Sequence, residues 1–308
     1  MTIQQLKYII ALDNYKNFSL AAEKCFVNQS TITIQVKKLE EEMGLQLFDR
    51  SKSPFELTLN GRKVINKARM IMREVNELKE MVNDEKESLR GRFKIGIIPT
   101  LSPYIIPEFS GGFVKNHPDT VLAIKEMESN EIMRDLKNGK IDIGILVTPL
   151  NDKDLREIKM YNEPFVFFGG PKQPFDKNEK ISSPSLAKLQ NLWLLKEGHC
   201  LKNQVLNICE KGEEPKSIEF ESGSIETLKN MVKKYGGYTL IPEMSINELD
   251  YENINHFRDP KPTREVSLVV HNNFAKENLL DKIRAEILNI IPEDFSKNER
   301  FIRVKWRG

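Results

Sequence analysis

The chain has 308 residues, 39% of them hydrophobic and 30% charged, which describes a foldable protein of two to three domains. No apolar run approaches the roughly 20 residues of a membrane span, and Met1–Leu6 lacks the basic-then-apolar layout of a signal peptide. Three cysteines do not make a secreted disulfide framework, so a reducing cytoplasm is the expected home.

The net charge of +2 conceals an asymmetry: residues 1–73 carry twelve Lys/Arg against seven Asp/Glu, a net of +5, leaving −3 for the remainder. A basic first quarter suggests a nucleic-acid module joined to something else. Leu6, Ile9, Ile10, Ala11 and Leu12 have helical spacing up to about Asn14. Phe18–Val27 reads as a short helix with Ser19 as N-cap and Ala22 with Cys25 or Phe26 on its inner face, Cys25 being a buried structural thiol. Asn28 then caps a helix from Gln29 to about Met43, ended by Gly44, with Ile32, Val36 and Leu39 inward. Its other side presents Gln29, Ser30, Thr31, Thr33, Gln35 and Lys38, residue types that reach base edges and phosphates. Leu45–Leu59 reads as a β wing whose Arg50 and Lys52 are placed for phosphate contact. Residues 1–59 are therefore expected to form an all-α winged helix-turn-helix that binds double-stranded DNA.

From Asn60 to about Glu87 the apolar residues Val64, Ala68, Ile71, Val75, Leu78 and Val82 repeat with a period of 3.5. Residues 60–88 are expected to be one long helix that pairs with a second copy of the chain, and 89–92 a hinge. Strand–helix alternation follows: strands at 93–98, 120–127, 141–146, 165–168, 192–195, 218–221, 238–241 and 266–270, and helices at 104–116, 130–138, 184–189, 200–209, 225–234 and 276–290. This predicts an α/β region over 93–308 with a largely parallel sheet in two lobes, lobe I about 93–163 and 268–308, lobe II about 164–267. Ligands of such folds sit beyond strand ends, where Thr100, Ser129 and the His199-Cys200 pair fall.

Cys200 and Cys209 stand nine residues apart in a helix-forming stretch. In one regular helix the two thiols face opposite ways, with Cα atoms about 13 Å apart, whereas a disulfide needs less than about 7 Å. Either they never meet, or they meet when the helix comes apart. Structural thiols in an effector-binding regulator remain an alternative. A cysteine hydrolase using Cys200 and His199 lacks an orienting acid. His117, His199, His256 and His271 are scattered and no CxxC occurs, so no metal or cofactor is expected.

The order of parts resembles the LysR-type transcriptional regulators over essentially the whole chain. Phe18-Ser19-Leu20-Ala21-Ala22, Val27–Thr33, Lys37-Lys38-Leu39-Glu40 and Leu47-Phe48-Asp49-Arg50 carry the likeness, with Asn28 and Ser30 departing from the usual residues. Gly96–Thr100, Pro103-Tyr104, Gly198-His199-Cys200-Leu201, Gln204, Cys209 and Ile225–Val232 make the regulatory region similar to the peroxide-sensing, OxyR-type branch. The resemblance implies a type 2 periplasmic-binding-protein-like regulatory domain. It also implies that hydrogen peroxide oxidises Cys200, that Cys209 resolves the sulfenic acid into a disulfide, and that Thr100, Ser129, His199 and Arg264 surround the reacting thiol. Ser129 replaces a threonine and Asn203 an aspartate of the family pattern. A homotetramer, RNA polymerase as partner and a thiol reductant are implied as well. The alternative is a LysR-type regulator with a small anionic metabolite between the lobes.

Overall fold

The computed structural model describes residues 1–52, 54–82, 89–171, 173–176, 179–196, 200–209, 223–297 and 301–305. The chain divides into two units, residues 1–88 with 137–140 and residues 89–136 with 141–308.

In the first unit, helices α1 (Ile3–Tyr15), α2 (Phe18–Lys24) and α3 (Gln29–Met43) pack Leu6, Ile9, Leu12, Ala21, Ala22, Ile32, Val36 and Leu39 into one core. Thr2 and Gln5 close a capping box on α1. Asn17, not Ser19, caps α2: its extended backbone lets the side chain accept from Leu20 N at 3.0 Å, so the helix starts earlier than expected. Asn28 holds the N-cap position of α3 without a side-chain capping bond, and Gly44 ends that helix at φ 64°. Phe26 also departs from expectation. At φ 57° it turns outward and is 94% exposed, and Val27 packs on the core in its place. Cys25 closes α2 half-buried rather than fully buried, and desolvation still pushes its thiol up.

Strands β1 (Phe48–Asp49) and β2 (Glu56–Leu57) pair antiparallel as the wing, and helix α4 (Leu59–Val82) follows. The first part of its apolar stripe serves its own unit, since Ile65 and Ala68 are buried in the core with Val64, Ile71 and Met72 against it. Arg69, itself buried, donates through Nη2 to Asp13 Oδ2 at 2.8 Å and Asn14 Oδ1 at 2.6 Å, fastening α4 to α1. Leu78 is exposed. The expected continuation to Glu87 lies outside the described residues.

The second unit runs β3 (Gly91–Ile97), α5 (Ser102–Asn116), β4 (Thr120–Glu126), α6 (Ser129–Lys137), β5 (Ile143–Thr148) and β6 (Leu155–Gly169). After a 3-10 turn at Ser183–Lys188 come α7 (Cys200–Cys209), α8 (Ile225–Tyr235), β7 (Tyr238–Pro242), β8 (Ile254–His256), β9 (Lys261–His271), α9 (Glu277–Ile290), α10 (Asp294–Lys297) and β10 (Phe301–Arg303). Strands β4, β3 and β5 are parallel, as the alternation predicts. The sheet then turns mixed: β9 is antiparallel to β5, and β6 is antiparallel to β9, β7 and β8. Strand β3 starts inside the stretch expected as hinge. Leu192–Leu195 is not a strand, because only Leu192 makes a bridge, to Tyr238. The strand expected at 218–221 lies outside the described residues.

Two apolar cores result. One gathers Ile95, Ile97, Phe109, Ile143, Ile145, Val269 and Ile283, the other Phe165, Phe167, Trp193, Leu228, Leu240 and Phe257. Strand β6 runs through both. The far end of the described chain belongs with the second core, where Val304 is buried.

Gly61 sits where a Cβ would lie 2.0 Å from the Leu47 carbonyl oxygen. The clash is with backbone, so α4 or the wing base must shift. Gly61→Ala is expected to cost about 3 kcal/mol. The check is hydrogen exchange in mild urea: protection should fall in α1–α4 and stay unchanged in β3–β9.

Candidate functional site

Arg264 lies on β9 with no solvent exposure. Its Nε donates to Glu163 Oε2 at 2.8 Å, Nη1 to Thr100 Oγ1 at 2.9 Å and Nη2 to the Thr100 carbonyl at 3.0 Å. Glu163, equally buried on β6, accepts a further bond from Met244 N at 3.1 Å. Burial pushes its carboxyl above the usual carboxylate range, while Arg264 and the Met244 N–H pull against it. Thr100 occupies the turn between β3 and α5 and Ser129 opens α6, both buried.

Cys200 is the first residue of α7, 3% exposed, with its sulfur hydrogen-bonded to Ser129. The expected dipole stabilisation of a thiolate is present in kind, since the Cys200 and Leu201 N–H groups, Ser129 and the charge of Arg264 all favour the anion. Desolvation outweighs them, so the thiol is pushed up rather than down. The structure therefore joins Ser129 to Cys200 and Thr100 to Arg264, with the Arg264 charge acting on the Cys200 thiol. His199 lies outside the described residues.

Cys209 ends the same helix and is buried in the second core, whereas Cys200 belongs to the first. Burial pushes its thiol up to about 12, against the pull of the neighbouring Tyr238 hydroxyl. Both thiols are free, and the 10-residue helix between them separates their Cα atoms by about 13 Å. Sequence reasoning missed Glu163 and Tyr238. Glu163 stands 101 residues from Arg264 and carries no motif.

A cleft of about 510 Å³ lies between Pro99, Tyr104 and Met127 on one side and Ile225 on the other. Its described lining carries Glu126, Glu128, Glu131 and Glu226 against Lys196, which pairs with Glu128 at 3.1 Å. Glu131 is paired in turn with Lys125 and Arg134, and Glu226 with Lys229 at 2.7 Å. Among the described residues, no group of His, Cys, Asp and Glu is arranged to hold a metal ion.

In the first unit, Asn28, Gln29, Ser30 and Lys38 are exposed, while Thr31, Thr33 and Gln35 are half-buried. Several have internal partners: Ser19 Oγ donates to Gln29 Oε1 at 2.8 Å, Thr33 Oγ1 to Gln29 O at 2.9 Å, and Gln5 Nε2 to Gln35 Oε1 at 3.2 Å. Arg50 bonds Glu40 Oε2 at 3.0 Å and Lys52 bonds Glu56 Oε2 at 2.7 Å. Glu40, part of the motif that carries the likeness, also accepts from Leu47 N at 2.8 Å and so ties the wing base to α3.

Residues 3–62 match the bacterial regulatory helix-turn-helix protein model of the lysR family, and residues 86–288 the LysR substrate binding domain. The chain is 30% identical over 290 residues to the hydrogen peroxide-inducible genes activator of Haemophilus influenzae, covering 93% of this chain and 96% of the relative. It is 30% identical over 294 residues to the DNA-binding transcriptional dual regulator OxyR of Escherichia coli K12, with the same coverage of 93% and 96%. A full-length Pseudomonas aeruginosa OxyR variant superposes with a TM-score of 0.82 at 29% identity, covering 94% of this chain and 98% of that one.

Arg264→Met leaves Glu163 buried without its cation and is expected to cost about 3–5 kcal/mol. The raised folded pKa of Glu163 makes protonation favour the fold. Losing the Arg264 charge and hydrogen bond lifts the carboxyl further, so the deficit relative to the parent should grow as pH rises above the parent's folded value through the variant's higher one. Adding Glu163→Gln should recover part of it. Urea unfolding of the single and double variants at several pH values is the measurement.

Proposed function

Because the chain belongs to the LysR family of bacterial transcription regulators, we propose that it is a DNA-binding regulator of the OxyR type, in which hydrogen peroxide oxidises Cys200 and Cys209 resolves the product. The observation that carries this reading is the placement of two free thiols at the two ends of one helix, the first among Thr100, Ser129 and Arg264.

Thr100 Oγ1 accepts from Arg264 and keeps a hydroxyl hydrogen of its own, a donor of the kind a peroxide oxygen needs. Ser129 and the Arg264 charge favour the attacking thiolate. Sulfur attack breaks the O–O bond, leaves Cys200 as sulfenic acid and releases water. Cys209 then displaces the hydroxyl as a second water and closes the disulfide. The two Cα atoms must approach from about 13 Å to within about 7 Å, so α7 has to unwind. Dithiol and disulfide are thus two packings of one segment, able to reorient subunits.

Double-stranded DNA is read by α3 through Asn28, Gln29, Ser30, Thr31, Thr33, Gln35 and Lys38, with Ser19 and the wing residues Arg50 and Lys52 at phosphates. A homo-oligomer forms through the exposed part of α4, Leu78 included, and assembles as a tetramer. RNA polymerase receives the signal, and a thiol reductant of the cytoplasm resets it.

The test is to expose reduced protein to modest peroxide and map disulfides by peptide mass spectrometry. A Cys200–Cys209 disulfide is expected. Cys200→Ser should abolish the response and leave DNA binding by the reduced form intact. A free Cys200 in a protein that still answers a metabolite would sink the reading. Because burial pushes the thiol up, the oxidation rate should keep climbing between about pH 6 and 8 rather than level off.

A further inference from the structure

We infer that the segment Phe301–Lys305 is a latch on α7, a positioning element whose release governs how fast Cys209 reaches oxidised Cys200. The inference rests on the peroxide-sensing reading and concerns only its second step.

Strand β10 pairs parallel with β9 at Lys261, Pro262 and Thr263, and Val304 N donates to the Thr263 carbonyl at 2.8 Å. The anchor is the residue next to Arg264. Val304 is 7% exposed, in the same core as Leu201, Val205 and Cys209. From the helix side, Gln204 Nε2 donates to the Val304 carbonyl at 3.0 Å and Asn207 Nδ2 to the Lys305 carbonyl at 2.7 Å. Gln204 and Asn207 are three residues apart, hence on one helix face, and both lie between the two cysteines. They meet the successive carbonyls that follow β10 only while residues 204–207 are helical.

The geometry separates the two chemical steps. Oxidation of Cys200 by peroxide, with loss of one water, needs no movement of α7. Disulfide closure forms the S–S bond, breaks the sulfenic S–O bond and releases the hydroxyl with the Cys209 proton as water. That step requires the unwinding that breaks both latch bonds. The latch therefore holds the dithiol form and delays resolution without touching the peroxide.

The experiment uses the full chain, its Asn207→Ala variant, a form lacking Phe301–Gly308, and the combination. Each is mixed with hydrogen peroxide and quenched over time, with sulfenic acid read by dimedone labelling and disulfide by peptide mass spectrometry. Asn207→Ala should speed disulfide formation roughly fivefold, the effect of one lost hydrogen bond. Sulfenic acid formation should stay unchanged, and the equilibrium with a glutathione buffer should shift toward disulfide. The truncation should act more strongly, and Asn207→Ala should add nothing in the truncated chain. Asn207→Asp, which sets a carboxylate against the Lys305 carbonyl, should match or exceed Asn207→Ala, and it decides the matter if the truncated chain fails to fold. Unchanged disulfide rates in the Asn207 variants, or an additive effect in the truncated chain, overturn the latch alone. A wild-type protein that forms no Cys200–Cys209 disulfide overturns the latch and the peroxide-sensing reading together.

Discussion

A guanidinium with no solvent exposure must find acceptors for its N–H groups inside the protein, and Arg264, on β9, finds them on two other pieces of chain. Glu163 supplies the counter-charge from β6, and Thr100 supplies a hydroxyl and a carbonyl from the turn after β3. Removing two such charges from water costs several kcal/mol each, and only good geometry with further hydrogen bonds offsets it. The pair is thus weak evidence for stability and stronger evidence for specification. It fixes the Thr100 turn against Arg264, whose charge acts on the Cys200 thiol. That pair holds the Arg264 charge where it acts on the thiol, and the first turn of α6 supplies Ser129.

Cys200 and Cys209 belong to different cores. Helix α7 buries Leu201, Val205 and Ile208 between them, each worth about 1.5–3 kcal/mol. A disulfide cannot form by adjusting side chains, because the rise of one helix holds the sulfurs apart. On the proposed peroxide-sensing reading, the free energy of peroxide reduction has to drive those apolar residues out of register. This makes the oxidised state a different packing, and it makes anything fastened to α7 part of the switching element. Phe301–Lys305 is fastened there through Gln204 and Asn207.

Much of this is legible in the chain. Apolar spacing and the loop before it predict α7 over Cys200–Cys209, and α3 follows from Ile32, Val36, Leu39 and Gly44. Local rules fail where neighbours compete: Asn17 and Ser19 are both good caps, and the chain direction before α2 selects the first. Periodicity cannot say whether Phe26 or Val27 turns inward, because a left-handed residue resets the phase. The first half of β6 escapes detection, since Leu155–Pro164 interleaves Arg156, Glu157, Lys159 and Glu163 with its apolar residues, and its pairing with β9 spans over a hundred positions. Glu163 is invisible for the same reason, for its partner is set by register rather than by spacing.

The raised pKa of Cys200 bears on what the site can react with. Each tenfold loss of thiolate costs about tenfold in rate, since the thiolate is the nucleophile. The thiolate that remains is the stronger nucleophile, by a Brønsted coefficient of about 0.4–0.5, or roughly threefold for the same change. The net loss is therefore only about threefold for each tenfold fall in thiolate. Burial at 3% exposure, in exchange, excludes any oxidant that must bring a large body or a full charge to the sulfur. On the peroxide-sensing reading, a small neutral oxidant is the reactant such a site still admits. Desolvation, which seemed to work against the nucleophile, acts instead as the filter.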